Sequence, residues 1–309
     1  MTTSPGEPTK MEATLPTTAA TPSRLLLATD LSPRCDRALD RARQLAGQWH
    51  AELIAVHAIE PADTGHWTSG ALPTAPEGSA LPGLDALRVR RRLGEAGDGI
   101  EVLVGTGECE AVVSGIARAR DAGLVVTGVA RDELLGRRTL GRSVAALVHE
   151  ARLPLLIVRE RPRGAYLRVV VASDFSDGSA APLLTAADWF PTSRLALLHA
   201  YDPPFAGMTA DRATYEEEYR AVAAKEAEAF LAGTPLSGDR LEVVLEPGSP
   251  PAVLTAHVEA RDIDLVVIGS GEKSFLHRLL AGSTDTSILA EVPCDILVVP
   301  KGPAPEPAA

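Results

Sequence analysis

LLLATDLS, Leu25 to Ser32, recurs as VVVASDFS, Val169 to Ser176. Each is a short apolar run that stops at an alanine, a hydroxyl residue and an aspartate. Working outward, LIAVHAIEP (Leu53–Pro61) recurs as LALLHAYDP (Leu195–Pro203), and ARDAGLVVTG (Ala119–Gly128) recurs as ARDIDLVVIG (Ala260–Gly269). Each half then closes on another apolar run behind a proline, PLLIV at Pro154–Val158 and CDILVVP after Pro293. Matched blocks in one order, offset by 141–144 residues, mark an internal duplication, and a duplication decides the architecture before anything else does.

Within each half the apolar runs are continuous rather than alternating, the pattern of parallel strands covered on both faces. Helical patterns lie between them. Asp177–Trp189 follows the first strand of the second half, Tyr215–Leu231 carries Tyr219, Val222 and Phe230 on a mostly charged helix, and Pro251–Arg261 spaces Val253, Leu254 and Val258 helically. Five strands alternating with four helices predict a doubly wound α/β sheet with right-handed crossovers, made twice. The expected layout is an N-terminal tail over 1–22, rich in Thr, Pro, Ala and Glu with little to bury, a domain over 23–160, a second over 166–301, and a Pro/Ala-rich tail over 302–309. The boundary falls in the charged stretch Arg159–Ala165, which holds Pro162 and Gly164. Pro61–Gly83, dense in Gly, Pro, Thr and Ser, reads as a long excursion inside the first domain.

At 309 residues, two domains are the natural division. No apolar run approaches the ~20 residues of a membrane span, and no basic segment precedes an apolar core at the N-terminus, so neither a span nor a signal peptide is expected. Cys35, Cys109 and Cys294 are scattered without metal or redox spacing and read as ordinary thiols of a reducing cytoplasm. The net charge of −11 is uneven: Arg24–Glu160 holds 17 basic and 18 acidic residues, Tyr166–Lys301 10 basic and 20 acidic. Such acidity opposes nucleic-acid binding, which draws on basic side chains. No nucleophile-elbow motif, metal-ligand spacing or Gly-Lys-Ser/Thr triplet is present, which argues against hydrolase, metalloenzyme and Walker-type NTPase chemistry.

In open parallel sheets, ligands collect at the carboxyl ends of the strands. Three places in each half qualify: Asp30 or Asp174 ending the first strand, His57-Ala58 or His199-Ala200 ending the second, and the segment opening at Gly128 or Gly269 after the fourth. In the second half that segment runs Gly269-Ser270-Gly271-Glu272, nine residues, then Gly282-Ser283-Thr284. In the first it runs Gly128-Val129-Ala130-Arg131, nine residues, then Gly141-Arg142-Ser143. Glycines let a backbone approach phosphate oxygens, and a helix opening at Gly-Ser-Thr would point unpaired N–H groups at an anion.

With the Ala-Thr/Ser-Asp and His-Ala blocks, this spacing resembles the universal stress protein family, whose ATP-binding members share a Gly-x-x-Gly, nine-residue, Gly-Ser/Thr pattern. The resemblance covers roughly Arg24–Glu160 and Tyr166–Lys301. It implies a Rossmann-like, adenine nucleotide α-hydrolase-like fold with a five-stranded parallel sheet in each half. It further implies pairing through the last strands, so that the tandem halves form an intramolecular pseudo-dimer and hide both edges, with a homodimer of whole chains as a further level. A bacterial, cytoplasmic stress-response sensor or regulator binding ATP, with Mg, is the implied role. Slow ATP hydrolysis is compatible with it, although no catalytic constellation is visible. The residues carried over are Ala172, Asp174, Ala200, Ile268, Gly269, Gly282, Ser283 and Thr284 in the second half. Their weaker counterparts are Ala28, Asp30, Ala58, Thr127, Gly128, Gly141 and Ser143 in the first.

Both copies depart from the pattern. Glu272 replaces a phosphate-facing glycine and would repel an anion by ~1–4 kcal/mol, offset in part by Lys273. In the first half Arg131 and Arg142 replace the glycine and the hydroxyl residue, with Arg137 and Arg138 nearby. These arginines can hold phosphate or simply pair with Asp132 and Glu133 on a solvated face. Plain structural readings also stand: Asp174, Ser283 and Thr284 can cap helices, and the repeated His57 and His199 suit a shared strand-end feature better than catalysis. A nucleotide-independent protein-interaction module is therefore the alternative to a nucleotide sensor.

Overall fold

The repeated apolar runs become strands because Leu, Ile and Val pack well on a pleated surface buried from both sides. In the computed structural model, residues 20–32, 35–59, 82–129, 142–150, 152–202, 212–236, 240–270, 289 and 292–300 are described. Residues 1–19 of the expected N-terminal tail, the whole C-terminal tail, nearly all of the Pro61–Gly83 excursion, and the segments 130–141 and 271–288 lie outside them.

The first half comprises β1 (Arg24–Ala28), α1 (Asp36–Trp49), β2 (Glu52–Ile59), α2 (Pro82–Leu93), β3 (Glu101–Thr106), α3 (Cys109–Ala119), β4 (Leu124–Gly128), α4 (Arg142–Glu150) and β5 (Leu155–Val158). The second comprises β6 (Arg168–Ala172), α5 (Ala180–Trp189), β7 (Arg194–Tyr201), α6 (Arg212–Ala232), β8 (Leu241–Pro247), α7 (Pro250–Arg261), β9 (Leu265–Gly269) and β10 (Asp295–Val299). The helix expected from Asp177 begins as a 3-10 turn over Asp177–Ser179 and becomes α-helical at Ala180.

The ten strands found among the described residues form one sheet in the order β3-β2-β1-β4-β5-β10-β9-β6-β7-β8. Among these strands pairing is parallel within each half and antiparallel only where β5 meets β10, with Ile157 opposite Ile296, Leu156 opposite Leu297 and Leu155 opposite Val298. The halves are therefore a pseudo-dimer whose last strands cover one another. The period-2 alternation of each strand feeds two cores. Leu26, Ala28, Val170 and Ala172 face α3, α4 and α7; Leu25, Leu27, Val169 and Val171 face α1, α2, α5 and α6. One expectation fails on α6. Ala223, Ala227 and Phe230 turn inward at helical spacing, whereas Val222 is 55% exposed, because its position falls well off the stripe they define.

One side chain fastens the halves together. Asp295, at the start of β10, is fully buried. Its Oδ1 accepts from the N–H groups of Arg159 at 2.7 Å and Glu160 at 3.1 Å, and its Oδ2 from the Tyr166 hydroxyl at 2.6 Å. Arg41 of α1, also buried, places Nε 3.3 Å from Oδ2, donates to the Gly164 carbonyl at 2.8 Å and lies 4.1 Å over the Tyr166 ring. Burial pushes the Asp295 carboxyl above the usual carboxylate range; Tyr166, the backbone donors and Arg41 offset this only in part. The cluster thus joins α1 of one half, the connecting segment and the last strand of the other. Beside it Trp49 packs on Trp189 (5.4 Å between ring centroids) and Phe190 (6.1 Å), burying the junction under aromatic surface.

Candidate functional site

The carboxyl end of the sheet is built the same way in both halves. Where β1 ends, Thr29 is still held by its N–H to the Val56 carbonyl. The chain then turns through Leu31 at φ 61°, with the Leu31 N–H donating to Thr29 Oγ1 and the Ser32 N–H to Asp30 Oδ1. After β6 the same turn runs through Ser173, Asp174, Phe175 (φ 57°) and Ser176. A non-glycine residue at positive φ is uncommon, and here each is fixed by hydrogen bonds on both sides.

These bonds settle what the aspartates do structurally. Asp174 Oδ1 accepts from the Ser176 N–H (3.1 Å), the Ser176 hydroxyl (2.6 Å) and the Ser179 hydroxyl (2.7 Å). It braces the turn that leads into α5, while the helix itself has no side-chain N-cap. In the first half Asp30 Oδ1 accepts from Ser32 N–H at 2.8 Å and from the Cys35 thiol at 3.0 Å. The repeat offset puts Cys35 where the second half has Ser179. A thiol is the weaker donor, so the first aspartate is held less firmly. Burial alone would raise the Asp30 carboxyl, but the donors from Cys35 and Ser32 outweigh it and bring it below its ordinary value. Conversely, burial and the Asp30 charge push the Cys35 thiol up to about 12, so it stays protonated.

His57 and His199 have a shared structural role. Each sets Nδ1 2.9 Å from a carbonyl one strand away, Thr29 for His57 and Ser173 for His199, so Nδ1 carries the proton and donates. His199 also stacks on Phe175 at 4.5 Å. The paired histidines therefore lock strand two to the turn after strand one.

The remaining candidates divide between core, rim and residues outside the described set. Ala28, Ala172, Thr127, Gly128, Ile268 and Gly269 are buried at the ends of β1, β6, β4 and β9, and Ala58 and Ala200 are half-buried on β2 and β7. A Cβ on Gly269 would lie 3.2 Å from Cγ of Pro182, so this glycine already admits the first turn of α5. Ser143 is half-buried in the first turn of α4, which opens where the Gly141 motif predicts a helix start. Gly141, Gly282, Ser283 and Thr284 lie outside the described residues, as do Arg131, Arg137, Arg138, Asp132, Glu133, Glu272 and Lys273, and nothing describes the Arg142 side chain. Ser176 and Ser179 also hold Asp174; the repeated Thr/Ser-Asp-x-Ser pattern is the signal for Ser176, whereas Ser179 has Cys35 at its place in the first half and carries none. Among the described residues no group of three or more His, Cys, Asp or Glu could hold a metal ion, and no helix is long and apolar enough to cross a membrane.

Two doubly wound α/β units, joined strand to strand and with matching turns at the carboxyl end of the sheet, define a tandem Rossmann-like protein. The profile of the universal stress protein family matches residues 22–159 and again 165–300, and the chain belongs to that family. Among solved structures it is similar to a protein of unknown function from Pseudomonas aeruginosa PAO1, at 18% identity and a TM-score of 0.62, covering 91% of this chain and 93% of the other. It is also similar to a universal stress protein from Archaeoglobus fulgidus DSM 4304, at 17% identity and a TM-score of 0.58, covering 91% and 99%. At these identities the likeness is one of fold. No curated protein sequence matches the chain.

Proposed function

We propose that this universal stress protein is a stress-response regulator that binds one adenine nucleotide, ATP with Mg, at the carboxyl end of the second half. The observation that carries the reading is the turn at Asp174. Three donors converge on Oδ1 and fix the carboxylate at a strand end, where a ribose hydroxyl would meet it. Ala172, Ala200, Ile268 and Gly269 would form the floor and sides of the adenine and sugar site. Gly282, Ser283 and Thr284 would receive the phosphates. The first half, with Cys35 at the position of Ser179 and Arg142 at that of a hydroxyl residue, is the weaker site or none. The same hydrogen bonds favour the second reading, an interaction module without nucleotide, to the extent that bracing the turn already accounts for Asp174.

Thermal unfolding with and without Mg-ATP, with AMP and GTP as controls, separates the two. Ligand at ~100 times its dissociation constant stabilises by about 2.7 kcal/mol, a rise in Tm on the order of 5 °C for a chain this size. The proposal expects that rise with adenine nucleotides and its loss in Asp174→Ala. An unchanged Tm with ATP sinks it in favour of the interaction module.

A further inference from the structure

The ten-stranded sheet stops at β3 on one side and β8 on the other, and neither edge has a partner among the described strands. A helix lies beside each edge, α2 at β3 and α6 at β8, both on the same face of the sheet since Val89 and Phe230 join the same core. The two helices occupy matching places in the repeat but carry opposite charge. Pro82–Leu93 holds four arginines and one aspartate, whereas Arg212–Ala232 holds five glutamates against two arginines and a lysine.

The uncovered apolar side chains gather at the same two ends. Of the four large hydrophobic residues that stand exposed among the described residues, three are Leu87 on α2 (63%), Val222 on α6 (55%) and Val243 on β8 (39%). Leu87 lies one helical turn before Arg91, opposite the buried Val89; Val222 lies one turn after Glu218. An open groove of about 420 Å³ runs along α6, lined among the described residues by Thr214, Glu217, Glu218 and Ala221. A mainly apolar groove flanked by Glu217 and Glu218, with Val222 beside it, fits an arginine-bearing helix with an apolar residue one turn away.

We propose that the two ends of the molecule are complementary docking surfaces for a second copy of this chain, joined head to tail with α2 of one copy against α6 of the next. The contact is heterologous: what meets at the interface is one basic end and one acidic end, so assembly grows by addition or closes into a ring rather than stopping at a two-fold dimer. Because β3 and β8 run antiparallel to each other, the same placement brings the two open edges alongside in antiparallel sense. Exposed charge pairs carry the recognition, which makes the association weaken with salt.

The test is sedimentation velocity of the full chain over a range of concentrations at low and at high salt. It is repeated for Arg91→Glu/Arg92→Glu, which reverses the basic end, and for Glu217→Lys/Glu218→Lys, which reverses the acidic end. All four positions are exposed, and circular dichroism checks that the fold is kept. The wild type should form concentration-dependent species larger than the monomer at low salt that dissociate at high salt. Each variant alone should associate at least tenfold more weakly. An equal mixture should regain association, since the unchanged ends still match and the two reversed ends carry charges opposite to each other. A wild type that is monomeric throughout overturns the proposal. So does a dimer that both variants keep, which would place the contact elsewhere, or a mixture that fails to associate.

Discussion

Replacing Asp295 by Asn should loosen the whole molecule, because this one carboxylate ties three parts of the chain together. The substitution keeps the volume and still offers an oxygen to the Arg159 and Glu160 N–H groups. It removes the charge opposite Arg41, whose side chain is only 6% exposed, and turns an NH2 group toward donors that need an acceptor. Breaking a buried pair from one side costs about 3–5 kcal/mol, most of it the stranded charge. Arg41→Met should cost a comparable amount by stranding Asp295. The double variant should lose clearly less than the sum, with a coupling of at least about 1.5 kcal/mol between the two sites. Urea unfolding followed by tryptophan fluorescence is the assay, since Trp49 and Trp189 sit 5.4 Å apart across the junction and report its opening. A loss below about 1 kcal/mol for Asp295→Asn, or strict additivity in the cycle, would refute the view that this pair holds the halves together.

Other outcomes follow from the same geometry. Burial raises the thiols of Cys35 and Cys294, so folded protein binds those protons more tightly than unfolded chain does. Their contribution to stability is therefore complete below the free thiol range, near pH 8.5, and is lost above it by up to ~1.4 kcal/mol per pH unit for each thiol. Alkaline unfolding curves should flatten in a Cys35→Ser/Cys294→Ala variant, and an unchanged slope would contradict this. Gly47 lies exposed within α1 with nothing within 4 Å of the place an added methyl group would take, so Gly47→Ala should stabilise by ~0.5–1 kcal/mol. Gly105→Ala should instead destabilise by about 1–3 kcal/mol, because the added carbon meets Val112 Cγ1 at 2.5 Å. Thermal melts of the two variants check the contrast in sign.

The duplicated strands are legible because parallel strands buried on both faces leave continuous apolar runs, and a repeat supplies two readings of each. LLLATDLS and VVVASDFS locate not only β1 and β6 but also the turns that follow. Less legible are features whose partners are distant in sequence. Asp295 is one polar letter inside an apolar run, since Arg41 and Tyr166 lie far away along the chain. Its only local signal is a break in the repeat: β5 and β10 align so that Asp295 stands where the first half has Pro154. Val222 misleads because the inward stripe of α6 is marked mostly by small residues, Ala223 and Ala227, before Phe230. In the site, the residue types at Asp30, Asp174, His57 and His199 are visible, but the hydrogen bonds that bind each histidine to the neighbouring strand end are a property of the folded sheet.

The most direct test of the account is isothermal titration calorimetry of the full chain with Mg-ATP. One site per chain is predicted, abolished by Asp174→Ala and by Gly282→Val and retained in Asp30→Ala. Absence of binding heat, two equivalent sites, or loss of binding in Asp30→Ala with retention in Asp174→Ala would contradict a nucleotide site in the second half.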